Sequence, residues 1–134
     1  MIVGYLSSTG RALDEHAERF VDGLRRNSAV YGNGYRGVFE TVGELDIAMK
    51  EGEDWLLFVD NPRLEYNPIN YLKRLNHRSN LRCVLLNSGA LFNGGSDPRQ
   101  SYPQDYTRGF NFVASTKEEI ETIFITQSTQ SGQH

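Results

Sequence analysis

The sequence predicts an α/β fold: a three-layer, doubly wound sheet of five parallel strands in the order 2-1-3-4-5. Apolar runs of strand length alternate along the chain with helix-patterned or capped segments, as in successive strand–helix–strand units. The central run, "WLLFV" at 55–59, is apolar throughout, as expected of a strand covered on both faces. Alternation with helices implies parallel strands, because these need crossover connections, and it places helices on both sides of the sheet.

The first strand is "IVGYL" at 2–6. Leu13, Ala17, Phe20, Val21 and Leu24 then recur at i, i+4, i+7, i+8 and i+11, which puts them on one face of a helix. "NSAVYGNGY" reads as a turn-rich connector to a second strand at 35–39. Thr41 and Glu44 have capping-box spacing and open a short helix through Leu45 and Met49, closed by Gly52. After the third strand, Asn67 is expected to cap a helix with Pro68 at its first position and Ile69, Leu72 and Leu75 on its inner face. "LRCVLL" at 81–86 is strand four, and "FNFVA" at 110–114 is strand five. Ser115, with Glu118 three residues on, is expected to cap the last helix, whose Ile120, Ile123 and Phe124 face inward.

A chain of 134 residues is expected to form one domain with one proper core, here residues 1–126. The polar, aperiodic stretch 127–134 reads as a disordered tail. A net charge of −3 argues against a general nucleic-acid binder. No apolar run approaches the roughly 18 residues that span a membrane, and the first run is too short for a signal peptide. The single cysteine, Cys83, lies in an apolar run and reads as a buried thiol. A cytoplasmic location is the resulting expectation.

In the predicted strand order the chain changes direction between strands one and three, and ligands bind at the carboxyl ends of the strands around that switch point. Three loops should rim the crevice. The first holds Ser7, Ser8, Thr9 and Gly10, whose hydroxyls and backbone N–H groups at a helix start suit a phosphate monoester. The same residues also suit a plain helix cap. The second, "DNPRLEYN", follows strand three and includes Asp60 and Tyr66. The third is the long stretch 87–109, with Asn87, Ser88, Gly89, Asn93 and Tyr102. Its glycines allow close approach to a flat ligand and its aromatics can stack on one; a surface loop with tyrosines packed on the sheet edge is the alternative.

Asp60 stands where receiver domains carry their phosphorylated aspartate. Ser7 and Ser8 occupy the place of the metal-holding carboxylates, and Lys117 is displaced from the position directly after strand five. Active phosphoryl transfer is therefore not expected. His16, His77 and His134 show no zinc spacing, and no Ser-His-Asp constellation stands out. Arg25-Arg26 and Lys73-Arg74 read as solvated helix faces that could also contact an acidic partner.

"YLSSTG" followed by "ERFV" resembles the start of the flavodoxin superfamily, and the chain is most similar there to the small NrdI flavoproteins of class Ib ribonucleotide reductase systems. "YLKRLNHRSNLRCVLLNSG", "SGALFNGG" and "FNFVASTKEEIETI" resemble that group's approach to its Ser-Gly-Asn loop, the loop itself, and its final strand and helix. Ala90 stands where the family has Asn, and "VDNPRLEYNP" replaces a Thr- and Gly-bearing loop. The resemblance implies FMN as cofactor. Its phosphate would lie on Ser7, Ser8, Thr9 and Gly10; Tyr66 or a residue within 87–93 (Asn87, Ser88, Gly89, Asn93) would line the isoalloxazine, and Tyr102 would cover it.

Three readings follow. The first is an electron-transfer module passing electrons from FMN to a protein redox partner, with no catalytic side chain required. The second is a non-enzymatic protein-interaction module, either a degenerate receiver or a cofactor-free flavodoxin-like domain. The third is a small nucleotide-binding or hydrolytic enzyme.

Overall fold

The apolar runs of the sequence become five strands, all parallel, hydrogen-bonded in the order β2-β1-β3-β4-β5. This is the flavodoxin-like arrangement that the alternation of elements predicts. The structure, a computed structural model, describes residues 1–7, 13–62, 80–93 and 97–131. The strands are β1 (Ile2–Ser7), β2 (Gly34–Phe39), β3 (Asp54–Asp60), β4 (Asn80–Leu86) and β5 (Phe112–Val113). The helices are α1 (Glu15–Val30), α2 (Val42–Ala48), α3 (Ser88–Asn93), α4 (Pro98–Ser101), α5 (Gln104–Thr107) and α6 (Lys117–Ser131). The helix expected between β3 and β4, with Asn67 as its cap, falls outside the described residues.

Alternate side chains of the inner strands supply two cores. On one face Leu6, Trp55, Leu57, Val59, Cys83 and Leu85 pack under α2 and the α4–α5 segment, which contributes Tyr102, Tyr106 and Phe110. On the other, Val3, Tyr5, Leu56, Phe58, Val84 and Leu86 pack under α1 and α6. Burial on both faces is what makes "WLLFV" apolar without interruption. Gly4 on β1 is required by this packing: a Cβ there would stand 2.9 Å from Cζ3 of Trp55 and 3.2 Å from Cε2 of Phe39. Among the described helices none is long and apolar enough to cross a membrane.

At the edge strand β2 the register with β1 slips so that Arg36 is the extra residue of a bulge, and Gly37 takes a positive φ of 108°. The bulge aims Arg36 at Glu53, which it grips through both guanidinium nitrogens at 3.0 and 2.8 Å, while its head lies 5.3 Å from the Trp55 ring centroid. An irregular, charged edge of this kind resists pairing with another chain.

The structure corrects the expectations in five places. Residues 27–30, read as connector, are the last turn of α1, where the Ser28 hydroxyl donates to the Leu24 carbonyl at 2.7 Å. The stretch 87–109 contains three short helices rather than an unstructured loop. Strand five is only Phe112–Val113. The last helix is capped one residue later than expected: Thr116 Oγ1 accepts from the Glu119 amide at 3.1 Å, and Glu119 reaches back to the Ser115 hydroxyl at 2.7 Å. That helix continues to Ser131, so residues 127–131 belong to it and not to a tail. Gln127 is buried and accepts a hydrogen bond from Arg82, an anchor that polar composition does not reveal.

Candidate functional site

The register of the central strands sets the candidate site at their carboxyl ends. Ser7 is the partner of Asp60, and Asp60 the partner of Leu86, so β1, β3 and β4 end level with one another. Ser7, Asp60 and Ser88 are each nearly inaccessible, at 6, 5 and 4 % exposure. Polar groups that deep must find partners, and the partners define the site.

Asp60 is its centre. One carboxylate oxygen accepts the Ser88 amide at 2.8 Å; the other accepts the hydroxyl of Tyr5. Tyr5 sits opposite Phe58, two positions before Asp60, and so reaches it diagonally across the β1–β3 ladder. Burial raises the Asp60 carboxyl above the ordinary carboxylate range; hydrogen bonds from Ser88 and Tyr5 work against that, and the nearby Asp14 carboxylate adds to it. Burial, with Asp60 next to it, also pushes the Tyr5 phenol up, so Tyr5 stays a donor at any ordinary pH.

The turns beyond the strands are tied to the same frame. Asn61 takes a positive φ of 44°, a conformation Asn tolerates better than most residues, and its amide donates to the Leu86 carbonyl at 2.8 Å. Tyr102 donates to the Pro62 carbonyl at 2.5 Å, with Asn61 Oδ1 as a second acceptor at 3.2 Å. Asn87 caps α3: its side-chain oxygen accepts the Gly89 amide at 3.0 Å, and its carbonyl accepts those of Ala90 and Leu91 at 3.0 and 3.3 Å. With the Ser88 amide on Asp60, all four opening amides of α3 are satisfied within the chain.

Of the residues picked out in the sequence, Ser7, Asn87, Ser88 and Gly89 do converge on this rim. Asn93 closes α3, one helix length away. Tyr102 is 8 % exposed and stacks on Tyr106, with ring centroids 5.0 Å apart; it buttresses the β3 turn and does not present a ring face as a cover. Ser8, Thr9, Gly10 and Tyr66 lie outside the described residues. Ser7 ends β1 level with Asp60 and is buried at 6 % exposure, which makes it the hydroxyl of this rim that the strand itself positions.

Sequence reasoning passed over Tyr5 and gave Asp60 no structural partner. The available signal was an ionisable residue ending an otherwise apolar strand, which calls for a donor on its neighbour. With both oxygens engaged and no cation beside it among the described residues, Asp60 lacks the exposure and the partners of a phosphoacceptor. Among the described residues no group of three or more His, Cys, Asp or Glu is arranged for a metal ion. The Cys83 thiol is buried and pushed up to about 12 by desolvation, which keeps it protonated and inert. No protein-family model, curated protein or solved structure matches the chain.

Proposed function

We propose that this chain is an FMN-binding, flavodoxin-like electron-transfer protein acting on a protein partner in the cytoplasm, in a role like that of the NrdI flavoproteins beside a ribonucleotide reductase. The observation that carries the reading is the place of Ser7, at the carboxyl end of β1, level with Asp60, at the switch point of the sheet. Ser8, Thr9 and Gly10 follow it in the chain, while α1 begins only at Glu15 and is capped by the Asp14 carboxylate, so the donors this reading uses are the hydroxyls and amides of 7–10 and not the helix end. That donor set fits the phosphate of FMN. When bound, the flavin supplies the redox chemistry.

The chain's own residues supply binding and electrostatics. Ser7 donates to the phosphate side. Asp60, buried and with no cation beside it among the described residues, places negative potential at the strand ends in proportion to its ionised fraction, which disfavours gain of electrons nearby. Tyr5 and the Ser88 amide hold that carboxylate in one orientation.

One observation favours a second reading, a cofactor-free interaction module. The opening amides of α3 are already used within the chain, so the β4 rim offers none of these donors to a flavin ring. A single titration separates the two. In the FMN reading, added FMN is quenched on binding and the protein shows absorbance near roughly 450 nm. Ser7→Ala then weakens FMN by about tenfold, the worth of one hydrogen bond to a charged group, with the fold intact. Failure to bind at micromolar FMN removes the first reading and leaves the second.

A further inference from the structure

On the α1–α6 face, away from the Ser7–Asp60 site, lies a groove of about 450 Å³ that neither reading uses. Its floor is apolar, formed by Phe20, Leu24 and Ile120. Residues 19 to 27 of α1 run along one wall, a length of about 12 Å at the helical rise, and Tyr31, just past the end of the helix, continues it. Leu91 and Phe92 of α3 close the Arg19 end.

The rim is cationic. Arg19 and Lys117 converge on the Phe92 ring, at 4.4 and 4.8 Å from its centroid, and Arg26 stands two helical turns beyond Arg19 on the same wall. Among the described residues none of these three cations has a carboxylate partner. Of the two acids on the rim, Asp22 is paired with Arg25 at 3.3 Å, which leaves Glu121 against three unpaired cations. Two like charges drawn to one ring repel each other unless an anion lies between or above them.

The middle of the wall is Gly23. A glycine inside a helix is unfavourable relative to alanine, and a Cβ here would meet nothing within 4 Å, so packing within the chain does not require it. It lowers the wall where a second backbone could approach α1 closely.

We propose that this groove docks an acidic amphipathic helix of a protein partner, its apolar stripe on Phe20, Leu24 and Ile120 and carboxylates two turns apart on Arg19 and Arg26. The run of lining residues along α1, the spacing of the two arginines and the bare backbone at Gly23 favour a helix over a compact small molecule. The inference rests on the partner-binding role but not on the cofactor.

The test uses the whole protein and two labelled synthetic helices of about 14 residues, one with leucines on one face flanked by glutamates, the other with lysines in place of the glutamates. Fluorescence anisotropy should show the acidic peptide binding at least about tenfold tighter than the basic one, with affinity falling as salt rises. The Arg19→Glu, Arg26→Glu double variant should lose about tenfold or more. Gly23→Leu fills the groove without changing charge or disturbing α1, and should abolish binding while circular dichroism and thermal unfolding show a folded, no less stable protein. Equal binding of the two peptides, binding unaffected by Gly23→Leu, or no binding of the acidic peptide overturns the proposal. So does occupation of the groove by a small aryl sulfonate dye with no peptide bound. FMN titration of the same variants is read separately, so failure of the cofactor reading and failure of the groove are distinguishable.

Discussion

Asp54 and Asp60 stand at the two ends of β3, on the same face of the sheet because six residues separate them. Asp54 is paired: Arg82 reaches it at 2.7 Å and the Asn80 side-chain amide at 2.8 Å, with Gln127 and Met1 completing the shell around Arg82. Asp60 is more deeply buried and has no cation beside it among the described residues; its donors there are the Tyr5 hydroxyl and Ser88. The amino end of the strand thus holds an ion pair that serves packing. The carboxyl end holds a buried carboxyl group that, among the described residues, has no cation beside it.

That contrast predicts unequal responses to substitution. Asp60→Ala strands the Tyr5 hydroxyl and the Ser88 amide in the core, and should lower stability by about 2–4 kcal/mol in urea unfolding. The pH response of the same group is next. Folding raises the Asp60 carboxyl above the ordinary carboxylate range, so the folded chain holds that proton more tightly than the unfolded one. Its contribution is most favourable in acid and is lost as pH rises from the ordinary carboxylate value through the folded value. The stability of the native protein minus that of Asp60→Asn should fall across that window; a flat difference would show that Asp60 is ionised throughout.

Tyr5→Phe removes one of the two donors. It should cost about 1–2 kcal/mol and move the window upward. Arg82→Met, at the other end of the strand, leaves Asp54 partly exposed and still held by Asn80. An effect of about 1 kcal/mol, below that of Asp60→Ala, is expected by the same unfolding measurement. Smallest is Arg99→Ala, which breaks an exposed network to Glu119, Asp97 and the Val113 carbonyl. Its effect should stay within about 1 kcal/mol and shrink in high salt.

Much of this architecture can be read from residue pattern. The uninterrupted "WLLFV" marks a strand with helices on both sides, alternation of elements makes the strands parallel, and 2-1-3-4-5 is the common order for five of them. The Thr41 cap and its Glu44 partner stand where local chemistry puts them: Thr41 Oγ1 accepts the Glu44 amide at 3.1 Å, and Glu44 accepts the Glu40 amide at 3.0 Å. The candidate site is only half legible. Its rim, Ser7 with Asn87, Ser88 and Gly89, follows from where strands end. The use of each donor does not, because the Ser88 amide meets Asp60 only through a register between strands 28 residues apart. Tyr102 shows the same limit: a tyrosine in a glycine-rich stretch reads as a stacking surface, whereas α4 and α5 fold it into the core against Tyr106.

By itself the sequence determined the class of sheet, the faces of its central strands and the loops that meet at the switch point. These follow from periodicity, capping chemistry and the need of parallel strands for crossovers, all local or combinatorial properties. Tertiary structure alone decided which polar groups are consumed and which are left. It locked Asp60 between Tyr5 and Ser88, set Ser7 level with Asp60, turned residues 127–131 into helix with Gln127 held by Arg82, and drew Arg19 and Lys117 onto Phe92. The physical reason is that satisfaction of a buried polar group depends on neighbours brought close by packing, and one-dimensional spacing carries no record of them.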